Sequence, residues 1–134
     1  MTSRLPRTVA LALLALSPLT LITACAEKTN SGGGAKAGVI TVEATDDACK
    51  LSRTSAPSGS IAFEITNGGN KITEFYLFNP EGHIVSEVEG ITPGISRKMT
   101  VKVTKAGKYA TACKPGMIGD GIRGEFTVTA KRDG

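Results

Sequence analysis

From Val39 onward the chain alternates apolar and polar residues with a period of two, in short runs divided by turn residues. That period turns one face of a strand to a core and the other to water, and it does not suit a helix. "SIAFEIT" (Ser60–Thr66) sets Ile61, Phe63 and Ile65 on one side and Ala62 and Glu64 on the other. "SRKMTVKVT" (Ser96–Thr104) turns Met99, Val101 and Val103 in and Lys98, Thr100 and Lys102 out. "VITVEA" (Val39–Ala44), "HIVSEV" (His83–Val88), "KYATAC" (Lys108–Cys113) and "GEFTVTA" (Gly124–Ala130) are further strand candidates. "TEFYLF" (Thr73–Phe78) is apolar on both faces, as a central strand would be. The runs are punctuated by "NGGN", "NPEG", "TPG", "KAG" and "KPG". No stretch holds helical periodicity over three turns. The expectation is an all-β sandwich of seven or eight strands, in about 90 residues with a small core.

The first residues belong to another regime. Arg4 and Arg7 precede an apolar run, Val9 to Leu16, which resumes at Leu19 to Ile22 after Ser17-Pro18. The run is short and interrupted for a membrane span and reads as an export signal. It closes on "LITAC" (Leu21–Cys25), which resembles the bacterial lipobox, where a cysteine is lipidated and becomes the new N-terminus. The expected organisation is a lipoprotein signal peptide over 1–24, then lipidated Cys25 and a flexible Gly-rich tether over 25–37. A folded domain follows over 38–130, with a tail over 131–134. The tether, "AEKTNSGGGAK" (Ala26–Lys36), has too little apolar surface to order itself. The expected location is the cell membrane, held by lipid on its extracytoplasmic side. Loss of Arg4 and Arg7 from 16 basic residues leaves 14 against 12 acidic ones, close to neutrality. With no basic block and no aromatic platform, nucleic acid is not an expected partner.

Export gives Cys49 and Cys113 meaning. Two cysteines in an exported domain usually form a disulfide. The alternative is a pair of thiolates on a soft metal. If Tyr76 and Phe78 face the core, period two places Glu74 on that side, where a carboxylate needs a donor or a cation. The other option for Glu74 is the rim, solvated or paired with Lys71. Cys113 should share its face with Tyr109 and Thr111. Glu87 and Glu89 share a strand face, either as a patch for a hard cation or as ordinary solvated carboxylates. Met117 offers soft sulfur beside Cys113, or else packs over the end of the sandwich. "GDGIRG" (Gly119–Gly124) fits G-x-G-x-x-G, but a strand-like run follows it and not a helix, so a turn or bulge is expected. No nucleophile elbow, phosphate loop or histidine beside a serine or cysteine is present, so no catalytic residues and no enzyme activity are expected.

Immunoglobulin-like and cupredoxin-like sandwiches both fit the strand pattern, though the chain has no tryptophan. "YATACKPGM" (Tyr109–Met117) resembles the end of the penultimate strand of cupredoxins, where the pattern runs aromatic-x-x-x-Cys-x-Pro-Gly-His and then methionine. Met117 stands in the histidine slot. Glu74, in "NGGNKITEFYLF", stands where the upstream family histidine would be. His83, the sole histidine, lies in a "PEGH" turn. A blue-copper centre needs two imidazoles and a thiolate, so none is expected. "ITVEATDDAC", "NKITEFYLF", "SEVEGITPGISRKMTVKV" and "GKYATACKPG" together resemble the cupredoxin-like domain of EfeO-type iron-uptake proteins, over about Val39 to Val128. In that family the domain precedes a helical peptidase-like domain, and here the sequence stops after the cupredoxin-like unit. The resemblance implies a cupredoxin-like Greek-key fold and a metal site for copper or iron. It carries over Cys49, Glu74 and Cys113, with Glu87 and Glu89 as acidic candidates. It also implies a role in metal uptake or handling, beside a membrane permease or a peptidase-like EfeO partner. The rival expectation is a metal-free interaction module stapled by a Cys49–Cys113 disulfide, and a weaker one is a redox accessory that cycles the two cysteines.

Overall fold

The structure, a computed structural model, describes residues 38–132. The signal segment, Cys25 and the tether lie outside the described residues. Nine strands form: β1 (Ile40–Ala44), β2 (Cys49–Leu51), β3 (Ser55–Pro57), β4 (Gly59–Asn67), β5 (Thr73–Phe78), β6 (Ile84–Ile91), β7 (Ser96–Val103), β8 (Gly107–Cys113) and β9 (Ile122–Thr129). They build two facing sheets, ordered β2-β1-β4-β7 and β3-β9-β8-β5-β6. Pairing is antiparallel except for β1 with β4 and β3 with β9. The seven strand candidates all become strands. The count rises above the expected seven or eight because β2 and β3, three residues each, are too short to show a period. The only helical turn among the described residues is a single 3-10 turn, Pro115–Met117.

The core fills the space between the sheets, and the alternation decides who enters it. Ile40, Val42, Ile61, Phe63, Ile65, Met99, Val101 and Val103 enter from the four-stranded sheet. Phe75, Leu77, Ile91, Tyr109, Phe126 and Val128 meet them from the five-stranded one. Phe63 is the keystone: its ring centroid lies 5.3 Å from Phe75 and 5.5 Å from Phe126, both tilted. Tilted pairs at this separation suit the quadrupoles of the rings and add about 0.5–1.5 kcal/mol each beyond the area they bury.

One covalent bond crosses between the layers. Cys49 opens edge strand β2 and Cys113 ends β8, and the two are disulfide-bonded with Cα atoms 5.6 Å apart. The expected bridge is therefore present. It also orients the molecule. Ala44 pairs with Cys49 and Asn67, while Cys113 pairs with Phe75 and Ile122. The end of β1 and the start of β9 thus share the disulfide pole. Ile40 and Thr129, at the other ends of these strands, lie at the far pole.

Replacing both Cys49 and Cys113 by alanine should lower unfolding stability in urea by about 4 kcal/mol, from the chain entropy released by opening the long loop. A loss below about 1 kcal/mol would mean that the sheets hold their register without the link.

Candidate functional site

The disulfide pole is where the candidate residues come nearest to one another. Cys113 is wholly buried, and Cys49 is half-buried on a strand that has no neighbour on its outer side among the described residues. Tyr109, Thr111 and Cys113 share the inner face of β8, as counting along the strand predicts. The Thr111 hydroxyl is buried with no partner.

The loops of this pole are pinned by two side chains that the sequence did not single out, Asn67 of the "NGGN" turn and Asp46. Asn67 is buried, and its Nδ2 donates to the carbonyls of Lys71 (2.8 Å) and Ile91 (2.7 Å). Its Oδ1 accepts from the Gly69 amide at 2.9 Å. One amide thus ties the β4–β5 loop to the end of β6. Asp46 ties the same loop to the β1–β2 turn, accepting from the Asn70 and Lys71 amides at 3.0 and 3.1 Å. Partial burial works against ionisation of Asp46, but those two amides and the Asn70 side chain outweigh it and hold the carboxyl below its ordinary range. Gly69 is required here, since a Cβ would stand 2.5 Å from Asp46 Oδ1. Gly121 is required for a second reason: it has φ +76°, and a Cβ there would stand 2.7 Å from the Cys113 carbonyl oxygen. The signal available for Asn67 is an asparagine that ends an alternating strand just before Gly-Gly.

Glu74 does not join the cysteines. Phe75 is the residue of β5 opposite Cys113, and it faces the core with Leu77. Glu74, Tyr76 and Phe78 therefore face the outer side of the five-stranded sheet. This corrects the expectation that Tyr76 and Phe78 face the core. Every residue of β5 is buried, so parity alone gave no way to choose a face. On the outer side the two rings stack at 5.7 Å, capped by Lys114 Nζ over Tyr76 (4.2 Å) and by the Arg123 guanidinium over Phe78 (4.3 Å). The Tyr76 hydroxyl donates to Glu74 Oε2 at 2.7 Å, so the buried carboxylate has its donor from within its own strand and not from Lys71. That hydrogen bond first, then burial and then the charges of Glu74, Glu87 and Glu89 push the Tyr76 phenol well above its ordinary pKa. Glu87 pairs in register with Tyr76, and both Glu87 and Glu89 are exposed. Met117 is exposed too and lies at the disulfide pole, with φ 57°, the one non-glycine with positive φ among the described residues. His83 is in an exposed turn at the far pole, where its backbone amide donates to Asn79 Oδ1.

These positions test a metal site directly. Among the described residues no three His, Cys, Asp or Glu side chains come together as a metal-binding group. Glu74 lies across the sheet from Cys113, and Cys49 and Cys113 have no thiolates to offer while they are bonded to each other. A blue-copper centre, with two imidazoles and a thiolate, does not fit this donor set.

A family model described as a cupredoxin-like domain matches residues 11–128. A search of curated protein sequences found no match. Among solved structures the fold is similar to dithionite-reduced auracyanin from the photosynthetic bacterium Roseiflexus castenholzii, at 15% identity and TM-score 0.54, covering 68% of this chain and 96% of that one. It is similar also to auracyanin B, at 17% identity and TM-score 0.55, covering 68% and 88%. At these identities the likeness concerns the fold alone.

Asn67→Ala should lower unfolding stability by about 2–3 kcal/mol, since it strands the buried Ile91 carbonyl, the partly buried Lys71 carbonyl and a loop amide. Urea denaturation measures this, and a loss below about 0.5 kcal/mol would remove Asn67 from its place as the pin of the pole.

Proposed function

The chain belongs to the cupredoxin-like domain family, and from that premise we propose that it is a lipid-anchored, extracytoplasmic protein of envelope metal handling that holds copper on Cys49 and Cys113 when their disulfide is reduced. The observation that carries the reading is the joining of these two sulfurs at one pole, with Cα atoms 5.6 Å apart. Reduction leaves two thiols on neighbouring strands of facing sheets. Two soft thiolates suit copper(I), and the exposed Met117 of the same pole is a further soft sulfur. A bound copper(I) would supply charge compensation for a thiolate that the apolar surroundings of Cys113 otherwise disfavour.

Copper is favoured over iron by the kind of donor. Iron(III) suits carboxylates, and the nearest buried one, Glu74, is engaged by Tyr76 on the far side of the sheet. Glu87 and Glu89 share that outer side and do not assemble with the cysteines. The work is binding and not catalysis. Lipid on Cys25 would keep the domain beside a membrane permease, the kind of partner that uptake or export of a metal needs. An EfeO-type peptidase-like partner on a separate chain belongs to the same reading.

A second reading has an observation of its own. Cys113 has no exposed surface, as expected of a bond that serves only as a staple. The domain would then be a metal-free interaction module.

The two readings part in one experiment on the soluble domain from residue 26. It is reduced under anaerobic conditions and freed of reductant, and copper(I) is then titrated against a chromogenic chelator. The expected result is two titratable thiols and one tightly held copper(I) per chain after reduction, and none before it. Reduced, folded protein that leaves copper(I) to the chelator would overturn the metal reading in favour of the module.

A further inference from the structure

The two sulfurs of the disulfide are not equivalent. Cys113 closes β8, inside a five-stranded sheet, and is fully buried. Cys49 begins β2, at the open edge of the other sheet, and is half-buried. Thiol–disulfide exchange needs the attacking sulfur in line with the bond that breaks. Of the two residues only Cys49 keeps exposed surface, so an approach in line with the bond is open on the Cys49 side alone.

The same pole carries exposed apolar side chains among charged ones. Ile72, Ile95, Met117 and Ile118 are exposed at the disulfide pole, and Ile118 at 76% is the most exposed large apolar side chain among the described residues. Ile72 and the loop after β8 are held together by a hydrogen bond from the Gly116 amide to the Ile72 carbonyl at 2.7 Å. That loop leads into β9, which lies against β2. The described strands nearest the chain ends, β1 and β9, begin and finish at the far pole, at Ile40 and Thr129.

We propose that an extracytoplasmic dithiol protein docks on the apolar rim of Ile72, Met117 and Ile118 and opens the disulfide by attack on Cys49. The inference rests on the reading of Cys49 and Cys113 as a pair that is reduced in use. A thiolate of the partner forms a bond to Cys49 Sγ, and the bond to Cys113 breaks. The electron pair leaves on Cys113 Sγ, which takes a proton. The partner's second thiol then attacks the partner's own sulfur in the mixed disulfide and releases Cys49, which takes the second proton. The partner is oxidised by two electrons and the pair in this chain is reduced by two. Burial makes Cys113 a poor leaving group, so exchange with small thiols is slow and contact on the rim sets the useful rate.

The probe is a thioredoxin whose resolving cysteine is replaced by serine, incubated with the folded, oxidised domain. Peptide mapping of the trapped complex should place the intermolecular bond on Cys49, in at least about tenfold excess over Cys113. Ile118→Asp should slow reduction by intact thioredoxin several-fold and leave reduction by glutathione unchanged. A bond mapped to Cys113 would overturn the attack at Cys49. So would a complex trapped only after denaturant opens the fold. Equal effects of Ile118→Asp on both reductants would overturn the docking rim. The copper titration uses chemically reduced protein, so it succeeds or fails whatever thioredoxin does here.

Discussion

One bond between two strands of unequal strength organises the disulfide pole. β8 is a seven-residue strand inside a sheet, paired on both sides. β2 is three residues long, pairs on one side only and has little apolar surface of its own. Such a strand is at the margin of stability without help. The Cys49–Cys113 link fastens it to the strong strand of the opposite sheet. Around it the loops are held by Asn67 and Asp46, whose hydrogen bonds run to backbone groups and so hold loop shape whatever side chains the loop carries. Rigidity at this pole is therefore both covalent and polar, whereas the middle of the sandwich depends on apolar packing about Phe63.

The sandwich was legible because most strands bury one face only. Ile61, Phe63 and Ile65, or Met99, Val101 and Val103, are read correctly from parity because water lies on the other side. β5 defeats the same method. It is buried on both faces, so Glu74, Tyr76 and Phe78 carry no sign of which side they take. The register with β8 settles it by placing Phe75 against Cys113, and register is a long-range fact that one strand's sequence does not hold. The disulfide was readable from the cysteine count together with the expectation of export. β2 and β3 were not readable, since three residues have no period. Asn67 was hidden for a third reason: Asn before Gly-Gly reads as a turn, and its buried amide network appears only when loops distant in sequence come together.

A family's fold can persist where its best-known chemistry does not. By the resemblance drawn from the sequence, the loop "CKPGM" keeps the cysteine, proline and glycine of the cupredoxin pattern, with Met117, and Glu74 further upstream, at the positions where imidazoles are expected. Site chemistry follows the side chains and not the sandwich. The geometry that remains is a sulfur pair, asymmetric in burial, at a pole turned away from the point where the described chain begins. On the proposed reading, redox state is then the variable that separates a stapled scaffold from a soft-metal ligand.

The most direct measurement is non-reducing peptide mapping of the folded domain, blocked with a thiol alkylating agent before it is unfolded. The account requires a single linked pair of peptides, one holding Cys49 and the other Cys113, with neither cysteine alkylated. Recovery of both as alkylated, unlinked peptides from protein kept under air would contradict it.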